Sequence, residues 1–446
     1  MLTVLRTSWP LLLGIVLLML GNGIQGPLLS YRGGAEGFGT FEMSFVMSGY
    51  YVGFLLGSQL VPTMIRRVGH VRVFAALGAM VAAVMVGYAV LPNWIAWSAM
   101  RVLIGFSFSG VYITAESWFN ASNSNEMRGQ ALSAYMIAQM IGIIASQALM
   151  NVASPEGFML FALSSILVSL SFTPILLSAQ PAPAFSEVKR LNFINLYRVS
   201  PLSVISMLLL GGVFSALFGM AGVWGNQAGL SVREVSIFIG AMYVGGLIAQ
   251  YPIGWISDRM DRRRITAVVS GIGALAMVVA FAVQPGFVWL SILAAIAGGV
   301  ANPLYSLLIA YLNDYLDRDD MAAGSAGLLF VNGVGAFVGP FITGWLMSFV
   351  GPWGFFLYLA LMFGAIAAYA AYRIWLLPNR AGAYPNSFAV ISPSASALAV
   401  GGALDAKAEG AGDALSQSSA PSLAQSARPS AVGAQDASPK DGAPKA

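Results

Sequence analysis

Twelve runs of about 20 apolar residues follow one another along this 446-residue chain, each long enough to cross the roughly 30 Å of hydrocarbon in a bilayer. They lie near 9–29, 44–65, 71–91, 95–118, 130–151, 157–178, 201–223, 235–256, 265–284, 288–312, 323–349 and 352–376. Hydrocarbon offers no partner to an exposed amide or carbonyl, so runs of this length must satisfy their own backbone as helices. The fold class is therefore all-α and integral to a membrane. Composition agrees: 58% of residues are hydrophobic and 9% charged, where soluble domains carry roughly 25% charged residues. The first run begins after Arg6 and continues past the short apolar core of a secretory signal, with no A-x-A cleavage pattern after it, which makes it the first span.

The same arithmetic excludes several chemistries. There is no Cys, so disulfides, thiolate metal sites and a Cys nucleophile are absent. One His, His70, leaves no His-based metal site and no Ser-His-Asp arrangement elsewhere in the chain. No enzyme activity, metal or cofactor is expected. The net charge of +4 would suggest nucleic acid only as a basic patch on a soluble domain, and here the basic residues sit in short loops between apolar runs.

Those loops set the expected orientation. Fifteen of the 22 Lys and Arg residues fall on one side of the twelve runs, among them Arg66, Arg67, Arg72, Arg128, Arg198, Arg259, Arg262, Arg263, Arg264 and Arg373. The other side holds only Arg32 and Arg233. By the positive-inside rule both termini are cytoplasmic, in a multi-pass protein of a bacterial inner membrane. The longest polar interruption, 179–200, divides the chain into a six-helix bundle at 1–178 and another at 201–376. From 377 to 446 the chain turns to Ala, Ser, Pro and Gly and is expected to be a disordered cytoplasmic tail. The two halves repeat each other. Tyr51-Val52-Gly53 matches Tyr243-Val244-Gly245, and Arg67 and Arg72 match Arg259 and Arg264, at an offset of 192; Tyr112 and Asn120 match Tyr305 and Asn313 at 193. A shared offset points to duplication, and parallel six-helix repeats are a transporter design with the site at their interface.

At the end of the eighth run stands Gly254-Trp255-Ile256-Ser257-Asp258-Arg259-Met260-Asp261-Arg262-Arg263-Arg264. It resembles the signature loop of the major facilitator superfamily, G-x-L-A-D-R-x-G-R-R/K, with Asp261 where the family usually has Gly. The counterpart after the second run has Pro62 and Arg66 in place of the Gly and the acid, and its Arg67-Val68-Gly69-His70-Val71-Arg72 string is reminiscent of bacterial members of the YcaD type. The resemblance covers residues up to about 376 and implies alternating access between the two bundles. It also implies a cytoplasmic latch, intact by sequence in the second loop (Asp258, Arg259, Arg262) and degenerate in the first.

The fourth run carries the densest polar pattern. Arg101 is followed by Gly105, Ser109, Tyr112 and Glu116, which at about 100° per residue share one face within about 80°. A charge inside a membrane costs some 2.5–3.5 kcal/mol on insertion scales, so each is a functional candidate. Arg101-x-x-x-Gly105 resembles a fourth-helix motif of proton-coupled family members. Three readings stay open for Arg101: coupling or organisation of the site, capture of a substrate anion, and snorkelling to the interface. Glu116 lies about 22 Å along the axis from Arg101, too far to pair, and is expected in a cytoplasmic gate with Arg67, Arg72 and Arg128, or alternatively as a proton carrier. The resemblance places the first, fourth, seventh and tenth spans around a central cavity, which gives a site of Asn22, Gln25, Arg101, Ser109, Tyr112, Asn302 and Tyr305 walled by Phe214 and Phe218. Polar residues in a membrane helix also serve as glue between helices, an alternative for each of these.

The expectation is a secondary active transporter moving a small neutral or anionic solute, with protons as the default coupling ion. No Walker motif is present. It is expected to act as a monomer in the lipid bilayer, without nucleic acid. The alternative is a transporter-like sensor or assembly partner acting through its cytoplasmic tail.

Overall fold

The computed structural model describes residues 2–122, 125–176, 193–376 and 391, and every element among them is helical. The first half comprises α1 (Leu2–Ala35), α2 (Thr40–Val68), α3 (His70–Val90), α4 (Trp94–Ser122), α5 (Asn125–Leu149) and α6 (Met159–Leu176). A short helix, α7 (Phe193–Val199), leads into the second half: α8 (Pro201–Ser215), α9 (Ala221–Gln227), α10 (Val232–Ser257), α11 (Arg262–Val283), α12 (Phe287–Asn313), α13 (Arg318–Val350) and α14 (Gly354–Leu376). Ten spans are long and apolar enough to cross a bilayer, with α8 and α9 counted together as the seventh; the apolar stretches Ser133–Leu149 of α5 and Met159–Pro174 of α6 are shorter. The tail other than Ile391, and residues 177–192 of the linker, lie outside the described residues.

Two local departures from the expected pattern have physical causes. The seventh span is not one α-helix: Ala216–Met220 makes a π-helical turn between α8 and α9. Its wide turn falls where the span meets the first half, with Gly219 set against Met47 and Tyr51. The linker ends in helix: α7 stops at Ser200, whose hydroxyl caps the next helix by accepting from the Ser203 amide, while Pro201 occupies the first turn where no amide partner is needed.

The duplication is visible in the packing. In the first half α1 lies against α5 and α6, α2 against α4, and α3 against α4 and α6; in the second, α8 lies against α13 and α14, α10 against α12, and α11 against α12 and α14. Repeat-related glycines make the closest crossings. A Cβ on Gly53 would run into the Val102 carbonyl and one on Gly105 into the Tyr50 carbonyl; in the other half, Gly245 meets Ala295 and Gly298 meets Met242 in the same way. Lipid supplies no hydrophobic drive between helices, so contact of this kind, backbone on backbone, is what holds α2 to α4 and α10 to α12.

Alternate helices run in opposite directions, so one end of the molecule collects Arg66, Arg67, Arg72, Arg198, the Arg259–Arg264 cluster and Arg373, and the other holds Arg32 and Arg233. The halves meet through α2 with α13, α5 with α10, and α1 with α9. Four hydrogen bonds stitch this seam toward the arginine-poor end. Tyr31 donates to the Leu230 carbonyl (2.8 Å), Ser44 to Pro340 (3.0 Å), Ser48 to Phe337 (2.9 Å), and Gln227 to the Thr40 hydroxyl (2.6 Å). The Phe45 and Phe341 rings meet edge to face across the same seam.

Candidate functional site

Helix α4 brings Arg101 about 10 Å in from its Trp94 end. The side chain reaches α1 and α2. It turns inward and is 7% exposed. Nη1 donates to Gln25 Oε1 (3.3 Å), Gln25 Nε2 donates on to Asn22 Oδ1 (3.0 Å), Nη2 faces the Met47 sulfur (3.7 Å), and the guanidinium carbon stands 5.1 Å from the centre of the Tyr50 ring. Nε is buried without a partner. Every group described around this cation is neutral: two amides, a thioether, an aromatic face and the Tyr88 hydroxyl, which lies within reach of the guanidinium. Trp97 closes the arginine-poor side, its indole donating to the Tyr88 carbonyl (3.0 Å) and its ring against Phe38 (5.2 Å).

Below Arg101 the α4 stripe divides its duties. Gly105 and Ser109 face α2, at Tyr50 and at Gly57, where they serve helix packing. Tyr112 is buried, its hydroxyl 3.7 Å from the Met19 sulfur and its ring 6.4 Å from Phe54. Glu116 is fully buried and accepts from the Tyr135 hydroxyl of α5 (3.2 Å).

The second half contributes an aromatic wall. Phe214 stacks on Phe218 (5.9 Å), Phe214 meets Tyr305 edge-on (6.0 Å), and Phe218 stacks on Tyr243 (4.6 Å). Tyr243 lies within electrostatic reach of Tyr50 and of its repeat-related counterpart Tyr51. Tyr305 in turn lies within electrostatic reach of Glu116. The structure thus gathers Asn22, Gln25 and Arg101 into one cluster, and Phe214, Phe218 and Tyr305 into another. Asn302 stands apart: it donates to the Gly298 carbonyl of its own helix (3.1 Å) and packs on Gly246 of α10. Sequence reasoning missed Met47, Tyr50 and Tyr243, although the repeated Tyr-Val-Gly triplet was a signal for the last.

The two arginine loops differ as their sequences do. Arg67 and Arg72 are exposed, and no contact of theirs with Glu116 is described; the Arg128 side chain lies outside the described residues. In the second loop Arg262 is buried and ties two helix ends together. It pairs with Asp314, donates to Ala310 (3.1 Å) and Ser257 (3.3 Å), and reaches Asp258 at 3.5 Å. Among the described residues this network joins α10, α11 and α12. Asp261, the departure from the family Gly, caps α11: it accepts from the Arg263 amide (2.9 Å) and pairs with the Arg263 side chain (2.7 Å). Burial alone would raise its pKa, but the bonds and charge of Arg263 outweigh it and hold the carboxyl below the usual range. Arg259 lies over the Trp255 ring, 3.9 Å from its centre.

Of the tail, Ile391 is buried against α12. Its amide donates to Ser306 Oγ (3.0 Å), Ser306 Oγ donates to its carbonyl (3.1 Å), and Gln250 Nε2 completes the hydroxyl's bonding (3.2 Å).

Ten long apolar spans and two shorter apolar helices in two repeated bundles, with a buried cation at the seam, define a membrane transporter. The Major Facilitator Superfamily profile matches residues 11–246 and 203–399, and the chain belongs to that family. It is similar to an uncharacterised MFS-type transporter, YcaD, of Escherichia fergusonii, with 24% identity over 343 residues, covering 76% of this chain and 88% of the relative. A second MFS-type protein, Ent638_1421 of Enterobacter sp. (strain 638), is 25% identical over 384 residues, covering 85% and 97%. Among solved structures, the nucleoside transporter NupG superposes with a TM-score of 0.69 at 15% identity, over 84% of this chain and 100% of that one. A bacterial homologue of the lysosomal transporter Spinster, in an inward-facing, occupied conformation, gives 0.64 at 13% identity, over 84% and 96%. At these identities the structures share the fold.

Proposed function

We propose that the protein is a secondary active transporter that moves a small anionic solute by alternating access, with Arg101 as the group that receives the solute's charge. The observation that carries this reading is the environment of Arg101: a permanently charged guanidinium, nearly inaccessible, with neutral partners only and one N–H unsatisfied. A buried charge is tolerated when an opposite charge joins it, and an arriving carboxylate or phosphate would do so with paired hydrogen bonds. The stacked Phe214, Phe218 and Tyr243 offer the other part of such a solute an apolar, ring-shaped surface.

With the arginine-rich end in the cytoplasm, the hydrogen-bonded part of the seam lies toward the outer face. Glu116, buried beside Tyr135 and near Tyr305, is the carboxyl placed to carry a coupled proton. The test is a thermal-shift screen of the purified protein against organic anions, with Arg101→Ala in parallel. A ligand of the folded state raises the melting temperature by mass action. The reading expects an anion whose shift disappears in Arg101→Ala. That anion should then drive flux in proteoliposomes that responds to a pH gradient, with the response lost in Glu116→Gln. Shifts by anions that persist in Arg101→Ala would contradict the role given to Arg101.

A second reading is favoured by Ile391. Its two backbone bonds to Ser306 join the tail to the helix that carries Tyr305, as a sensor acting through its tail would require. Because the chain has no Cys, Ser306→Cys with Ile391→Cys gives a clean crosslinking pair. Ligand-dependent crosslinking, together with loss of function but not of binding when residues after Leu377 are removed, would favour the sensor; net solute flux by the shortened chain would remove it.

A further inference from the structure

We infer that the crevice between α10, α11 and α12 is a binding site for one anionic phospholipid of the leaflet at the arginine-rich end, with its phosphate on Arg264. From the loop that joins them α10 and α11 diverge, touching little beyond it, while both pack on α12, which forms the floor of the opening. The cavity left between them is about 610 Å³, within the range of about 300–1,000 Å³ that holds drug-sized ligands. Small residues make its floor, Gly245, Ala249 and Gly299 among them, and exposed apolar side chains such as Val268, Ile272 and Ile292 make its rim. From Ile256 to Gly245 it follows α10 for about 17 Å, close to the roughly 15 Å of one leaflet's hydrocarbon. A dry, apolar slot of this length facing lipid is filled by an acyl chain, because no other solvent is present there.

The headgroup is specified by the one charged residue of the lining, Arg264, at the end where α10 and α11 join. Its neighbours in the run are engaged: Arg259 covers Trp255 and donates to its carbonyl, Arg262 holds Asp314 and Asp258, and Arg263 holds Asp261. The Arg264 side chain is exposed and makes no hydrogen bond or ion pair among the described residues. Asp261 lies within reach of its field but is already bound by Arg263. The free guanidinium thus sits at the mouth of an acyl-shaped slot, at headgroup level, where its five donors match a phosphate and an added negative charge is attracted by about 1 kcal/mol per arginine, or roughly fivefold in affinity. The repeat-related Arg72 has the same place in the first half, and no cavity is described beside it.

Native mass spectrometry of the full chain in detergent, titrated with phosphatidylglycerol or phosphatidylcholine of identical acyl chains, tests this. One phosphatidylglycerol should be retained in preference to phosphatidylcholine. Arg264→Gln should weaken its retention about fivefold, Arg264→Lys less, and Ile292→Trp, which narrows the slot without touching charge, should lower retention of both lipids. Arg72→Gln should leave the first lipid in place. Melting temperatures of the lipid-free variants separate loss of a site from loss of fold. Equal retention of the two lipids by the native chain, or equal losses in Arg264→Gln and Arg72→Gln, would overturn the assignment.

Discussion

A guanidinium cannot shed its proton to escape hydrocarbon, so Arg101 must find stabilisation from dipoles and ring faces until an anion arrives. Gln25, Asn22, Met47 and Tyr50 provide it from two other helices, which also fixes how α4 faces α1 and α2. Arg101→Lys should keep the charge but lose the paired donors, and in the thermal-shift assay should retain a weakened response to an anion that Arg101→Ala does not bind at all. Asp261 makes a different argument at the same scale. As the cap of α11 its loss in Asp261→Ala should lower stability by about 1 kcal/mol, seen as a lower melting temperature. Because its carboxyl is held below the ordinary value near 3.9, the cap is intact from about pH 6 to pH 8. It is lost only as acid takes the pH down through the depressed pKa, so native and Asp261→Ala proteins should converge in stability there.

Among the elements, the pairs α2–α4 and α10–α12 are the rigid units, since their glycines let backbone meet backbone. Gly105→Leu should force α4 off α2 at Tyr50 and destabilise by about 1–3 kcal/mol, with Arg101 displaced from Gln25 as a consequence. Gly271→Ala, with open space around it on α11, should be neutral or mildly stabilising; melting curves of the two variants decide it. The spans, their two groups of six and the repeat were legible because hydropathy and a fixed offset are local signals. The polar stripe of α4 was legible as a face, but not how it is shared. Periodicity puts Arg101, Ser109 and Glu116 on one side of a cylinder, whereas the neighbours decide that Arg101 crosses to α1, Ser109 packs on Gly57, and Glu116 turns to Tyr135 of α5. Asn302, which stands 193 residues after Ser109 on the tenth span, likewise packs on a glycine of its paired helix, Gly246 of α10. Tyr243 and Met47 reach the site from the eighth and second spans, outside the four that the resemblance placed around the site; the repeated Tyr-Val-Gly triplet marked Tyr243, whereas Met47 is brought in by the packing of α2 against α4.

For the whole molecule, the seam is stitched by hydrogen bonds and a ring pair toward the arginine-poor end, and at the arginine-rich end Arg262 ties Asp314 and Asp258 together within the second half. Two bundles, each rigid through its own crossings, are built to rock about a central site. That motion is the central claim. With no Cys in the chain, spin labels can be placed on Gly37 and Ala228 at one end and on Val68 and Met260 at the other, and the distances followed by double electron–electron resonance as pH and candidate anions are varied. Alternating access predicts reciprocal change, the Gly37–Ala228 distance lengthening in the same conditions that shorten Val68–Met260. Two distances that stay fixed in every condition, or that lengthen together, would contradict it.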